Sequence, residues 1–238
     1  MKPVQPVVPI QETKGFVNDD SPAIEVETGS HPVASIIWLH GLGADGHDFE
    51  PIIPELDLSR LPALRFVFPH APYRSVTLNG GQTMRAWYDI WIDGRGIRQD
   101  ENDIRESEQQ IEKLIDRECD RGIDIQQILL AGFSQGAAMA LHTGLRYRSA
   151  LAGIMALSMP IPLPDRISTE INPANTRVPI FLAHGLQDQV VPYAMGEFAH
   201  QLLEEIGLPV EWHSYNMGHS VSREEITDIS NWLARIIN

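Results

Sequence analysis

The chain has 238 residues, 43% of them hydrophobic, and its 32 acidic and 18 basic side chains leave a net charge of −14. This length is sufficient for a large buried core. Because an acidic protein is repelled by phosphate backbones and by anionic membrane surfaces, nucleic acid and charged bilayers are unfavourable partners.

The sequence also favours a reducing compartment and argues against membrane insertion. The single cysteine, Cys119, cannot form an internal disulfide or build a zinc site by itself. The longest apolar stretch, residues 151–163, is too short for a membrane span and contains two prolines. Prolines at positions 3, 6 and 9 interrupt the apolar run that a signal peptide requires. We therefore expect a cytoplasmic protein without stable membrane insertion.

The pattern along the chain predicts a short arm followed by one domain. Residues 1–22 are rich in proline and predict an extended arm without a chemical role, whereas residues 23–238 alternate strand-like and helix-like segments. The predicted strands are 24–28, 35–39, 64–68, 127–131, 151–157, 180–183 and 210–215. The predicted helices are 104–119, 136–145, 195–206 and 222–237, the last beginning with a capping box of Ser222 and Glu225.

The alternation of short strands with longer helices defines the predicted fold class. The strand runs lack a clean alternation of apolar and polar residues, which is typical of strands buried on both faces. Repeated βαβ units predict an α/β fold with a mostly parallel sheet and helices on both faces. In such sheets, sites form at the carboxyl ends of the strands, so we expect reactive residues to follow strands.

A candidate nucleophile follows the fourth predicted strand. The segment Gly132-Phe133-Ser134-Gln135-Gly136 matches the pattern G-x-S-x-G between a strand and a helix rich in small residues. A sharp strand-to-helix turn needs glycine on both sides and leaves the serine at a helix N-terminus, which favours developing negative charge. The alternative is a helix-capping serine in a tight turn. We predict that Ser134 is a nucleophile.

The nucleophile needs a base, and the base needs a carboxylate that orients it. In chain order Ser, Asp or Glu, His, the best base is His219, which follows a strand and Gly218 and precedes the last helix. The best orienting residue is Asp188, in the turn after strand 180–183. Candidates with less suitable positions are His142, His184, His200, His213, Asp165 and Glu170.

Two backbone N–H groups are predicted to form an oxyanion hole. The first is that of Gln135, directly after the nucleophile. The second belongs to Leu42, in the glycine-rich segment 40–46 that follows strand 35–39. Glycines allow this backbone to approach a ligand closely, so the segment is suited to bind a negatively charged oxygen.

Several segments together resemble a known family. The segments are LHGLGADGHDF, RAWYDI, ILLAGFSQGAAMALHT, LAHGLQDQVVP and MGHSVSREEI. In this order they resemble the bacterial carboxylesterase and acyl-protein thioesterase family, also called the phospholipase/carboxylesterase family, from about Ser35 to the C-terminus. The resemblance implies an α/β-hydrolase without a large cap domain that hydrolyses esters or thioesters of acyl chains, with no metal or organic cofactor.

The resemblance also implies the roles of individual residues. The family's triad falls on Ser134, Asp188 and His219, and its oxyanion donors fall on Leu42 and Gln135. The chain departs from the family pattern at three positions near these motifs. Many members have Pro, Glu and Thr where this chain has Asn216, Ser220 and Met159.

The long segment 73–98 lies between a predicted strand and a predicted helix and contains Trp87 and Tyr88. In family members the equivalent stretch helps to form the acyl groove, so both residues are candidates for substrate binding. The alternative is that their rings only fill the core beside the sheet. A lysophospholipase and a non-catalytic binding protein remain alternative functions, and a homodimer remains open.

Overall fold

The computed structural model describes residues 8–9, 23–94 and 96–237 of the chain. Its strands are β1 (Val8–Pro9), β2 (Ile24–Glu27), β3 (Ala34–Leu39), β4 (Leu64–Phe68), β5 (Tyr73–Val76), β6 (Gln82–Arg85), β7 (Ile90–Asp93), β8 (Gly96–Gln99), β9 (Ile128–Phe133), β10 (Gly153–Leu157), β11 (Ile180–Gly185) and β12 (Val210–Tyr215). Its α-helices are α1 (Glu101–Asp120), α2 (Gln135–Arg146), α3 (Ile167–Glu170), α4 (Tyr193–Glu205) and α5 (Arg223–Ile236).

Eight strands form the central sheet, in the order β1-β2-β4-β3-β9-β10-β11-β12. From β4 to β12 every neighbouring pair is parallel, whereas β2 runs antiparallel to both β1 and β4. The prediction of a mostly parallel sheet is confirmed. The parallel strands β3, β9, β11 and β12 all end at the same edge, where the predicted site residues follow them.

The continuous apolar strands are explained by a core on each face of the sheet. In β3, Ile37 and Leu39 pack into the core formed with α1, α2 and α4. Ile36 and Trp38, which alternate with them, pack into the core formed with α5. Since successive side chains of a strand point to opposite faces, nearly every position of such a strand is apolar, and Ser35 is the exception in β3.

Several predicted elements match the structure closely. Strands β4 and β12 have the predicted bounds. Helix α5 begins after Ser222, whose hydroxyl accepts the N–H of Glu225, while the Glu225 carboxyl accepts the N–H of Ser222. The predicted capping box is therefore confirmed.

The segment 73–98, treated as a loop in the sequence, instead folds into two antiparallel hairpins, β5–β6 and β7–β8. Strands β5, β6 and β8 are largely exposed and polar, so they lack the apolar pattern that identified the buried strands. Strand β7 begins with Ile90, Trp91 and Ile92 but is only partly buried. The first hairpin turns at Gly80 and Gly81, which have φ of 68° and 81°. Between β4 and α1 these hairpins are all that projects from the sheet, and the described residues include no large cap domain.

Two expectations about organisation stay predictions. The predicted arm lies outside the described residues except for Val8–Pro9, and the assignment of residues 23–238 to one domain is an expectation from the sequence. Within the described part of the chain, no helix combines the length and the apolar character that crossing a membrane requires.

Candidate active site

Ser134 lies between β9 and α2 in a backbone conformation that L-residues rarely adopt, with φ of 54° and ψ of −120°. Its N–H donates to the carbonyl of Leu157 in β10, at 2.8 Å, which fixes the turn against the neighbouring strand. A Cβ atom on Gly136 would overlap the carbonyl oxygens at the end of β3, so only glycine fits there. This close approach brings the serine beside the loop that follows β3, as the G-x-S-x-G pattern predicts.

His219 and Asp188 form a hydrogen-bonded pair at the same edge of the sheet. The Nδ1 atom of His219 lies 2.7 Å from Oδ2 of Asp188, whose side chain is fully buried. The other carboxylate oxygen accepts the N–H groups of Val190 and Val191, at 2.9 and 2.8 Å. Because the carboxylate accepts at Nδ1, it fixes the proton on that nitrogen and leaves Nε2 available as a base.

The backbone of two loops holds this pair together. Beyond β11, the N–H of Leu186 donates to the carbonyl of Tyr215, at 2.8 Å, and that of Gln187 to the carbonyl of Met217, at 3.0 Å. The loop that carries the carboxylate is therefore bonded to the loop that carries the imidazole. On its other side, the ring of His219 packs against Phe133, with 4.6 Å between centroids. Since Phe133 directly precedes the serine, three loops meet at this point.

The loop after β3 is held from below by a buried histidine. His40 Nδ1–H donates to the carbonyl of Gly41, at 2.7 Å, and Nε2 accepts the N–H of Ala71, at 2.9 Å. Burial lowers the pKa of His40 to about 4, so the imidazole is neutral and can accept at Nε2. The N–H of Gly43 donates to the carbonyl of Arg85, at 2.8 Å, so that both ends of the loop are tied to the hairpin segment.

A second set of hydrogen bonds joins this loop to helix α2. The Gln135 side chain accepts the N–H of Trp87, at 2.7 Å, and donates to the carbonyl of Tyr88, at 2.8 Å. The indole N–H of Trp87 donates to the carbonyl of His40, at 2.9 Å. These contacts join Gln135 and the loop of Leu42 in one hydrogen-bonded network. The sequence analysis did not predict the roles of the Gln135 side chain and His40. Both are polar residues beside a glycine after a buried strand, and this pattern could have identified them.

The predicted site residues lie around one cavity of about 340 Å³. Ser134, His219, Leu42 and Gln135 all line it. Asp48 is the acidic side chain of its wall within the described residues. The apolar and aromatic part of the wall consists of Leu42, Ala44, Leu78, Tyr88, Ile90, Ile92, Ile97, Phe133, Pro160, Val190, Val191 and Met195. The cavity thus combines a hydroxyl and an imidazole with a largely apolar wall.

The two candidate substrate-binding residues occupy different positions. Tyr88 is buried and lines the cavity, and burial raises the pKa of its hydroxyl, which therefore stays neutral. Trp87 is 1% exposed and lies beneath the loop after β3 rather than on the cavity wall. Its hydrogen bond to His40 indicates that Trp87 supports the loop of Leu42.

The less suitable candidates have other partners. His142 contacts Glu108 at 3.2 Å, and Glu170 binds both Arg105 and Arg146. His200 in α4 and His213 in β12 contact the nearby carboxylates of Glu204 and Glu211. Among the residues that the structure describes, no group of three His, Cys, Asp or Glu side chains could hold a metal ion.

Comparisons with known proteins agree with this architecture. A family model described as phospholipase/carboxylesterase matches residues 21–237. Acyl-protein thioesterase 1 of Yarrowia lipolytica is 38% identical over 217 residues, which are 89% of this chain and 96% of that protein. Carboxylesterase SOBER1 of Arabidopsis thaliana is 34% identical over 205 residues, which are 84% of this chain and 89% of that protein.

Solved structures show the same fold. A crystal structure of Arabidopsis SOBER1 superposes with a TM-score of 0.80 and 32% identity, covering 86% of this chain and 99% of the other. The crystal structure of acyl-protein thioesterase 2 from Zea mays gives a TM-score of 0.78 at 29% identity, covering 88% of this chain and 96% of that one. The fold is therefore that of an α/β-hydrolase, as predicted.

The chain belongs to the phospholipase/carboxylesterase family, and it is a hydrolase of carboxylic esters or thioesters. The predicted family is thus confirmed, with one correction. The family was described as bacterial from the sequence motifs, whereas these relatives come from a yeast and from plants. The motifs carry the chemistry of the site, which is independent of the kingdom, so they could not reveal the source.

Proposed function

We propose that the chain hydrolyses thioesters and esters of acyl chains through a triad of Ser134, His219 and Asp188. This proposal rests on the observation that Ser134 and His219 line the wall of the same cavity. This wall holds the strained serine and the imidazole, and a buried carboxylate orients that imidazole from behind. A serine in such a turn beside an oriented base matches the geometry that acyl transfer requires.

In the first step, His219 Nε2 takes the proton of the Ser134 hydroxyl while Oγ attacks the acyl carbonyl carbon. The carbonyl π bond breaks, and its oxygen becomes an oxyanion that the N–H groups of Leu42 and Gln135 bind. Asp188 stabilises the imidazolium that forms. Because the hydrogen bonds from Gln135 and Trp87 hold both donors in place beforehand, little reorganisation is needed as the charge develops.

The tetrahedral intermediate then collapses, and the bond to the leaving thiol or alcohol breaks as His219 gives its proton to that group. The acyl chain stays bound to Ser134 as an ester. Water repeats the sequence: His219 takes a proton from the water, its oxygen attacks the acyl carbonyl, and Ser134 leaves with the proton. The products are a carboxylic acid and a free thiol or alcohol, and the enzyme is regenerated.

We propose acyl-protein thioesters as the preferred substrates. The long apolar wall formed by the hairpins supports an acyl chain as part of the substrate. The relatives named acyl-protein thioesterase support a protein thiol as the leaving group. A lysophospholipid presents one acyl chain on an oxygen ester and fits the same wall. The two are compared by measuring kcat/KM on an S-acylated peptide and a lysophosphatidylcholine with the same acyl chain. A higher value for the lysophospholipid would contradict the preference.

The hydrolase mechanism is tested with p-nitrophenyl esters of increasing acyl length. We expect Ser134→Ala to lose turnover on every ester while the wild type retains a chain-length optimum. Ser158→Ala is a matched control, because Ser158 also has positive φ, 52°, follows the neighbouring strand, and is buried. Ser158→Ala should keep its activity. Turnover by Ser134→Ala, or a folded wild type that is inert on all esters, would contradict the proposed mechanism.

Two broader expectations accompany this proposal. The lone Cys119 supports a cytoplasmic location, which fractionation of the expressing cells would test. Ile92 and Val190, at the cavity mouth, are 64% and 69% exposed, which supports association of two chains through this rim. Sedimentation equilibrium measures this directly, and a single monomeric species at high concentration would contradict it.

A further inference from the structure

The turn that presents Asp188 is held by a second imidazole that the proposed triad does not use. His184 is the fifth residue of β11, and its side chain is completely buried. Its Nε2 lies 2.8 Å from the carbonyl oxygen of Val191 and 3.5 Å from Oδ2 of Asp188. Since a carbonyl only accepts hydrogen bonds, the proton of this imidazole is on Nε2.

The same peptide segment is thus held on both sides. The N–H of Val191 donates to Oδ1 of Asp188, and its carbonyl accepts from His184. The N–H groups of Val190 and Val191 close the turn around one carboxylate oxygen. The other oxygen receives Nδ1–H of His219 and faces Nε2–H of His184. The carboxylate therefore accepts three N–H groups, and His184 acts on the turn that supplies two of them.

We infer that His184 is a positioning residue: its Nε2–H fixes the turn 188–191, so that Asp188 meets His219 at hydrogen-bonding distance. This inference rests on the proposed triad. It also connects the triad with the cavity, because Val190 and Val191 form part of the wall. A loosened turn would displace the carboxylate and that part of the wall together.

Helix α4 is shaped to accept this imidazole. A Cβ atom on Gly196 would overlap Nδ1 and Cγ of the ring and would lie 3.0 Å from its Cβ, so the helix approaches the ring through a residue without a side chain. Nδ1 has no hydrogen-bond partner among the described residues. Burying an unpaired ring nitrogen is unfavourable, and an aliphatic side chain would avoid this cost. The contacts of Nε2 therefore account for a histidine at this position.

The imidazole is suited to act as a neutral donor. Burial lowers the pKa of His184, and the protonated ring of His219 would lower it further, whereas Asp188 opposes this effect. The ring of Tyr193 meets His184 edge-on, with 6.2 Å between centroids. A neutral ring holds the Val191 carbonyl through its N–H without competing with His219 as an ion pair.

The test compares His184→Gln, which can place an amide N–H near the position of Nε2, with His184→Met, which has similar size and no donor. For each protein, kcat per active site is measured from the burst of p-nitrophenol, together with KM and the pH profile of kcat/KM. We expect His184→Met to lose about 10- to 100-fold in kcat with KM within about twofold. The acidic limb of its pH profile should move to lower pH, because a displaced Asp188 carboxylate stabilises the positively charged form of the triad less. His184→Gln should recover most of kcat and the wild-type limb.

Gly196→Ala tests the same contact from the helix and keeps the inference falsifiable if His184→Met does not fold. The added methyl group should push the imidazole off the turn and lower kcat about three- to tenfold. Folded His184→Met or Gly196→Ala with wild-type kcat per active site and an unchanged pH profile would overturn the inference. Equal losses in the Gln and Met variants without a pH shift would also overturn it, since this is the result of a packing role alone. If Ser134→Ala is active, the proposed function fails, and these variants are then read only as changes in stability.

Discussion

Replacement of Trp87 by phenylalanine distinguishes two roles for this residue, support of the loop after β3 and contact with substrate. The indole N–H donates to the carbonyl of His40, at 2.9 Å, in a region closed to solvent. Phenylalanine keeps most of the packing and removes this donor. The backbone N–H of Trp87, which binds Gln135, is unchanged by the substitution.

The expected cost follows from two terms. Leaving the buried His40 carbonyl without its donor costs about 1–3 kcal/mol, and the space left by the smaller ring adds roughly 1 kcal/mol. The free energy of unfolding should therefore fall by about 2–4 kcal/mol, which in a chain of this size lowers Tm by about 5–12 °C. Because the peptide of Leu42 becomes less fixed, kcat should fall about tenfold, less than when an oxyanion donor is lost entirely.

Thermal unfolding and the p-nitrophenyl ester series measure both effects. Trp91→Phe is the matched control, because Trp91 is partly buried in β7 and lies outside the cavity wall. The control should leave kcat within about twofold. If Trp87→Phe kept its Tm and kcat but changed KM and the optimal chain length, Trp87 would contact the acyl chain, and the reasoning from burial would be refuted.

Three further predictions concern charged side chains. Burial raises the pKa of Glu225 to about 8 from 4.5, so the folded state holds a proton that the unfolded chain releases. The contribution of Glu225 to the free energy of unfolding is therefore complete below about pH 4.5 and is lost as the pH rises towards 8. Glu225→Gln should therefore stabilise the protein by about 1–3 kcal/mol at pH 8 and by little at pH 4.5, and urea unfolding giving the same difference at both pH values would contradict this. Asp48 on the cavity wall should favour cationic over neutral leaving groups, so Asp48→Asn should lower the ratio of their kcat/KM values about threefold at low salt, whereas an unchanged ratio would place the charge away from the leaving group. The buried carboxylate of Glu118 accepts from Arg65, at 2.8 Å, near the start of β4. Because Arg65 keeps a second partner, Glu27, at 3.0 Å, Glu118→Leu should cost about 1.5–3 kcal/mol in urea unfolding without changing kcat, and a loss below 1 kcal/mol would show that Glu27 alone is sufficient for Arg65.

The candidate site could be predicted from the sequence because each part of it is marked by short-range constraints. The turn at Ser134 needs Gly136, since any side chain there would overlap the end of β3. Helix α5 begins where Ser222 and Glu225 can satisfy each other's backbone N–H groups. The strands were visible because burial on both faces favours an apolar residue at nearly every position, as in β3 and β4, where only Ser35 and Arg65 are polar.

Tertiary structure decided what depends on partners distant along the chain. The exposed hairpins between β4 and α1 have no apolar repeat, so their pairing could not be read from the sequence. Trp87 and Tyr88 are adjacent, yet the structure places Trp87 under the loop after β3 and Tyr88 on the cavity wall. His40 and His184 each precede a glycine at the end of a buried strand, but their hydrogen bonds to Ala71 and Val191 appear only in the folded chain. The sequence itself determines which residues can perform the chemistry, because that depends on residue type and local turns. Which residues hold them in place depends on packing between separate segments, and therefore only the fold determines it.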